Sequence, residues 1–280
     1  MRKYLFAWTF VLSGYVSIGQ DLHLSLSGGL MNYQGDLQGK RITFDQANPY
    51  FGIGAYYELT DKIFIRAGVI SGKVGAHDKY SQLNSSRNLS FTSQVTEFHF
   101  GLEYDLIKSA EHTLTPYLYA ALAGFHFNPY AMDADGQKVY LQPLGTEGQG
   151  FVPGREKYAL TQLAIPFGGG LKIAINENVF VRVEAVMRKL FTDYLDDVSA
   201  TYADQTSLLR NNGQAAVNLA FRGSEINPVL TYPAEGRVRG NPKSKDFYYT
   251  AGVSVSFRLT GNEYRAGNGK GKLGCPMNVY

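Results

Sequence analysis

The chain has almost no cysteine: Cys275 is the only one in 280 residues. An internal disulfide framework is therefore excluded. Charge is also scarce, at 18% Asp, Glu, Lys and Arg, against about 25% in soluble proteins. No run of five to eight basic residues occurs, so nucleic acid is not an expected partner. Beyond the first 19 residues there is no window of 18 apolar residues, so no membrane-crossing helix is expected. If this chain lives in a membrane, only a closed barrel could satisfy its backbone there.

Aromatics and glycine are abundant, with 20 Tyr, 17 Phe and 31 Gly but a single Trp. Residues 1–19 read as an export signal: Arg2 and Lys3 give a positive start, Tyr4–Val16 is mostly apolar, and Ser17-Ile18-Gly19 offers a small-residue cleavage site. Without Arg2 and Lys3 the chain carries 25 basic against 24 acidic groups, close to neutral.

The clearest pattern lies near the end. Phe247, Tyr249, Ala251, Val253, Val255, Phe257 and Leu259 alternate with Tyr248, Thr250, Gly252, Ser254, Ser256 and Arg258. A period of two defines a β-strand. At 13 residues it exceeds the usual soluble strand and suits a tilted membrane strand, which needs about 9–11. Seven similar alternations precede it. They start near Leu22, Phe51, Ile63, Leu89, Tyr117, Leu163 and Val179. In the fifth, Tyr117, Tyr119, Ala121, Ala123, Phe125 and Phe127 share one face.

The eight strands are joined by connections that alternate in length. Those after strands 1, 3, 5 and 7 are long, notably 128–158 and 191–246, and those after 2, 4 and 6 are short. Outer-membrane barrels sort their loops this way, and a sandwich has no reason to. The expected fold is an all-β, eight-stranded antiparallel transmembrane β-barrel over residues 20–259, with a flexible periplasmic tail at 260–280 and location in the outer membrane. Glu58, Arg66, Glu97, Glu103, Lys172, Arg182, Glu184 and Arg258 fall on the polar strand faces. Eight strands leave an interior that side chains can fill, so these four cations and four anions are expected to form a paired lumenal plug rather than a wide pore.

Other motifs carry less chemistry. Asp193, Asp196, Asp197 and Asp204 could offer oxygens to Ca²⁺, but the spacing of a calcium loop is absent, and capping within a folded loop is the expected use. Gly168-Gly169-Gly170 lacks the Lys-Ser/Thr of a phosphate loop and reads as a bend in a strand. His99 and Glu97 share a strand face, as a base and its orienting carboxylate would. No nucleophile motif accompanies them, so a lumenal hydrogen-bonded pair is expected rather than a lipid-modifying enzyme. No metal or cofactor is expected.

Leu141-Gln-Pro-Leu-Gly-Thr-Glu-Gly-Gln-Gly150 and Phe191-Thr-Asp-Tyr-Leu-Asp-Asp-Val-Ser-Ala-Thr-Tyr202 resemble loops of a Bacteroidota outer-membrane β-barrel family that includes the type IX secretion system component PorG. Asn32-Tyr-Gln-Gly-Asp-Leu37, Thr115–Gly124 and Gly274-Cys-Pro276 are similar too. The resemblance implies a scaffold that anchors or aligns a periplasmic ring of PorK lipoprotein and PorN. A lone cysteine in an oxidising compartment pairs between chains or stays free, so Cys275 is a candidate disulfide link to such a partner. The other functions open to the sequence are a structural or adhesive barrel working through its loops, and a lipid-modifying barrel enzyme.

Overall fold

The computed structural model describes residues 22–260, apart from 40–41, 81–83 and 110. The expected signal peptide at 1–19 and the tail with Cys275 lie outside the described residues. Nine strands follow in order: β1 (Leu22–Gln34), β2 (Asn48–Thr60), β3 (Ile63–His77), β4 (Ser90–Asp105), β5 (Leu114–Met132), β6 (Lys138–Tyr140), β7 (Thr161–Ala174), β8 (Val179–Leu190) and β9 (Phe247–Thr260). Eight of them pair antiparallel with their neighbours around a ring, and β9 returns to β1 in the register Leu26–Val255. The barrel is closed, and no long edge is left unpaired. β6 is a three-residue ribbon on the upper end of β5.

Strand ends are set locally. At the tight β2–β3 turn, Thr60 Oγ1 accepts from the amides of Lys62 and Ile63 at 3.3 and 3.1 Å. Between β7 and β8, Asn176 Oδ1 accepts from the amides of Asn178 and Val179, both at 2.9 Å. Such side-chain bonds mimic a backbone turn. The long connections run over 35–47, 78–89, 133–160 and 191–246. They gather at the opposite end from Leu22 and Thr260. Two of them contain α-helices, α1 (Leu141–Leu144) and α2 (Gln205–Ala220).

The outer face is apolar. Phe98, Phe100, Leu102 and Tyr104 on β4 are 57, 54, 52 and 45% exposed, and Leu118 and Leu122 on β5 are 56 and 71% exposed. Toward the long-loop end the outward positions turn polar, with Lys73, Gln94, Thr96 and His126. The band therefore has a definite upper limit.

β5 is the exception to polar-in. Its aromatic row, Tyr117, Tyr119, Phe125 and Phe127, turns inward and is buried. Both faces of this strand are apolar, so alternation alone could not orient it. Gly170 of β7 stands beside it; a Cβ there would lie 2.2 Å from the Val183 carbonyl and 3.0 Å from Tyr117 Oη. The glycine makes room for the tyrosine. Between residues 128 and 158, expected as one loop, β5 instead runs on to Met132, followed by β6 and α1.

Candidate functional site

The inward faces of β3, β4, β7 and β8 bring charges from opposite walls into contact. Arg66 of β3 reaches Glu184 of β8 with two parallel bonds, Nη1–Oε2 at 2.6 Å and Nη2–Oε1 at 2.7 Å. Tyr117 donates its hydroxyl to the same carboxylate at 2.9 Å. Nearer the short turns, Glu103 is shared by Lys172 at 2.9 Å, Arg182 at 3.4 Å and Arg66 at 4.0 Å. Lys172 also donates to both oxygens of Asp105 at 2.8 Å. Arg182 lies 4.0 Å over the Tyr56 ring and Arg66 4.3 Å over Tyr119, which adds cation–π attraction.

Toward the long loops, Glu97 accepts from Arg188 Nε at 3.0 Å and from the Tyr248 hydroxyl. Its other oxygen is 3.1 Å from His99 Nδ1. Glu58 and Arg258 line the short-turn mouth with His23 and Phe180. The eight charges singled out in the sequence thus all line the interior.

Two further ones, Asp105 and Arg188, belong with them. Each continues the inward alternation, 97-99-101-103-105 and 182-184-186-188, by one more step. Among the described residues the barrel interior holds five carboxylates and five cations. Buried charges persist only when paired and hydrogen-bonded. The balance explains how a narrow interior carries ten of them.

The two loop stretches Leu141–Gly150 and Phe191–Tyr202 meet above this network. Glu147 is fully buried. Its carboxylate accepts from the amides of Ser199 and Ala200, each at 3.0 Å, and from Arg239 Nη1 at 3.0 Å. Asp197, in the left-handed region at φ 66°, accepts from Thr146 Oγ1 at 2.5 Å and Tyr158 Oη at 2.8 Å. Tyr158 stacks between Phe127 and Tyr194, with ring centres 6.1 and 4.8 Å away. Arg87 holds Asp78 through two bonds of 2.7 Å and donates to the Arg239 carbonyl. Asp36 of the first long connection accepts from the Asn241 amide at 2.8 Å, so all four long connections join in a hydrogen-bonded plug over the upper mouth.

Tyr33, at the end of β1, donates to Asp196 at 2.5 Å and lies 3.4 Å from Asp246. Burial, then neighbouring carboxylates, raises both acids well above the usual range. Asp193 is buried, and burial pushes it up to about 7 against the pull of a hydrogen bond from Ser199. Asp197 is raised to about 6 by burial, against the pull of Arg239.

Of the four aspartates weighed for Ca²⁺, Asp204 instead caps α2, accepting from the Ser207 amide at 2.8 Å. Asp196 and Asp197 are engaged as described above. Among the described residues no metal-binding cluster is formed.

A closed eight-stranded antiparallel barrel, apolar outside, with a charge-filled interior and one plugged mouth, is an architecture of the outer-membrane type. The chain belongs to the family described as a domain of unknown function, DUF6089, whose profile matches residues 2–224. That match includes both plug motifs and stops before β9. No curated protein matches the sequence.

Among solved structures the fold is similar to Neisserial surface protein A, at 10% identity and TM-score 0.43, covering 86% of this chain and 99% of that one. It is also similar to Ail of Yersinia pestis in complex with sucrose octasulfate, at 10% identity, TM-score 0.42 and the same coverages. A third is OprG of Pseudomonas aeruginosa, at 10% identity and TM-score 0.37, covering 85% of this chain and 97% of that one.

Proposed function

We propose that this protein is a non-conducting outer-membrane scaffold. The observation that carries the reading is the combination of an apolar outer band with a filled interior: lipid can hold such a barrel, and solutes have no path through it. β4 presents apolar side chains outward from Phe98 to Tyr104, and Leu106 just past its end extends the row to nine residues, close to the roughly 9–11 a tilted strand needs to cross. An exported chain starts in the periplasm, so the end holding Leu22, Thr260 and the short turns faces that compartment. The long-loop plug then faces outward.

The finer reading is a component of the type IX protein secretion system that anchors or aligns a periplasmic ring of the PorK and PorN type. It rests on the family resemblance of the two loop motifs and on the shared end of the barrel termini, from which the tail with Cys275 continues. Attachment would run through the short turns and that tail.

The test is co-purification of the ring lipoprotein with the full chain, with a chain ending at 260, and with Cys275→Ser. Loss of the lipoprotein on truncation supports the scaffold. Equal recovery from all three chains rejects the ring assignment and leaves a structural or adhesive barrel. A covalent adduct on non-reducing gels that disappears in Cys275→Ser identifies the disulfide link.

A further inference from the structure

We propose that an open cleft on the long-loop end binds a neutral saccharide. The cleft is about 540 Å³, inside the range of about 300–1,000 Å³ usual for small-ligand sites. Its walls come from α2, the Asp133–Gly136 turn between β5 and β6, and the segment after α2 up to Tyr232. These walls are tied together. Arg222 donates to the Met132 carbonyl at 2.8 Å and pairs with Glu225 at 2.9 Å, and Asn212 donates to the Leu144 carbonyl at 2.8 Å. Gly213, at φ 84° and ψ 175°, breaks α2 into two pieces. Gln205 on the first piece and Gln214 and Asn218 on the second line the same cleft.

The chemistry of the lining selects the ligand class. Phe221 and Tyr232 contribute rings, and with Tyr202 behind them they form an edge-to-face triad with centres 5.7–6.4 Å apart. A rigid aromatic surface suits the C–H face of a sugar ring. Gln205, Gln214, Asn218 and Ser224 supply exposed donors and acceptors that match vicinal hydroxyls.

Tyr232 Oη is buried and has no partner among the described residues. An unmade buried hydrogen bond is costly; a ligand hydroxyl would satisfy it once the ring turns Oη toward the cleft. The charged groups in the lining are Asp133, Asp135 and Glu225, all acidic. They disfavour anions. Asp133 Oδ1 is already held by the amides of Asp135 and Gln137, and Glu225 by Arg222, so no strong cation site remains there.

The test is saturation-transfer NMR on the full chain refolded in a detergent without a sugar headgroup. Maltotriose, cellotriose and triacetylchitotriose are the probes, and 3′-sialyllactose is the anionic control. Transfer to at least one neutral trisaccharide, and weaker transfer to sialyllactose, is the expected result. Tyr232→Phe, and separately the exposed pair Gln214→Ala with Asn218→Ala, should each weaken binding about threefold to tenfold while the folded band persists on unheated gels. The differences among probes identify α-linked, β-linked or N-acetylated chains. Absence of transfer to all three neutral probes, preference for sialyllactose, or unchanged binding in both variants would overturn the proposal.

Discussion

Arg66 and Glu184 face each other across the barrel, from β3 and β8, through a two-pronged contact of 2.6 and 2.7 Å. Neither residue is near the other in sequence, and the ring must close before they meet. Removing Glu184 leaves Arg66 buried with the longer 4.0 Å contact to Glu103 and the Tyr119 ring. Glu184→Ala should therefore destabilise the folded barrel by about 3–5 kcal/mol, whereas replacing both with apolar residues of similar size should cost much less. Urea unfolding in lipid vesicles measures both, and equal losses for single and double variants would contradict the pairing.

On the proposed reading, the ten interior charges and the plug fill the lumen. Wild-type protein in planar bilayers should show no stable conductance steps. A variant combining Arg66→Ala, Glu103→Ala and Glu184→Ala removes the side chains that block the middle of the lumen, and any conductance should emerge there first. A wild-type pore of porin-like size would refute the filled interior.

The apolar band predicts an asymmetry between faces. Phe100 is 54% exposed on the outer surface. Phe100→Arg should cost about 2–4 kcal/mol in vesicle folding if that position lies near the bilayer middle, while an exposed position above the band should tolerate arginine at about 0–1 kcal/mol. Lys73→Arg provides that comparison, and matching costs at the two positions would argue against lipid on the outer face.

Glu147 joins two loops that are far apart in sequence. Glu147→Ala would strip the acceptor from the amides of Ser199 and Ala200 and leave Arg239 with only part of its partners. A loss of about 3–5 kcal/mol in local plug stability is expected. Limited proteolysis should cut within 191–246 while the barrel strands stay protected. Protection of that segment equal to wild type would show that the plug does not depend on this carboxylate.

The plug should also loosen as pH rises. Asp193 is pushed up to about 7 when folded, whereas an exposed aspartate titrates near about 3.9. Asp196 and Asp246 shift the same way, with Asp36 adding to both shifts and Arg87 opposing that of Asp196. A raised acid binds more protons in the folded state than in the unfolded one. Its stabilising effect is full below about pH 4 and declines as pH climbs to about 7. Hydrogen exchange of the plug amides, corrected for intrinsic rate, should show more protection at pH 5 than at pH 7.5. Asp193→Asn should flatten that difference, and the opposite slope would exclude the mechanism.

Most of the barrel was legible in the chain because its determinants are local. A period of two needs only neighbouring residues, and an apolar outer face with a polar lumen inside imprints that period on most strands. The sorting of short and long connections fixed the strand count and put both ends of the barrel together. The same logic placed Arg66, Glu103 and Glu184 inside.

It failed where the local signal is symmetric or ends. β5 carries apolar residues on both faces, so only closure decides that Tyr117 and Phe125 turn inward. Asp105 and Arg188 sit at strand ends, where the alternation gives no mark of how far the ladder continues.

The plug was beyond reach for a different reason. Glu147 and Ser199 are 52 residues apart, and nothing in either stretch states that the two will share a bond. Sequence set which side chains each strand offers to each solvent. Which of them become partners was decided by the tilt, register and closure of the ring, because those alone set the distances across it.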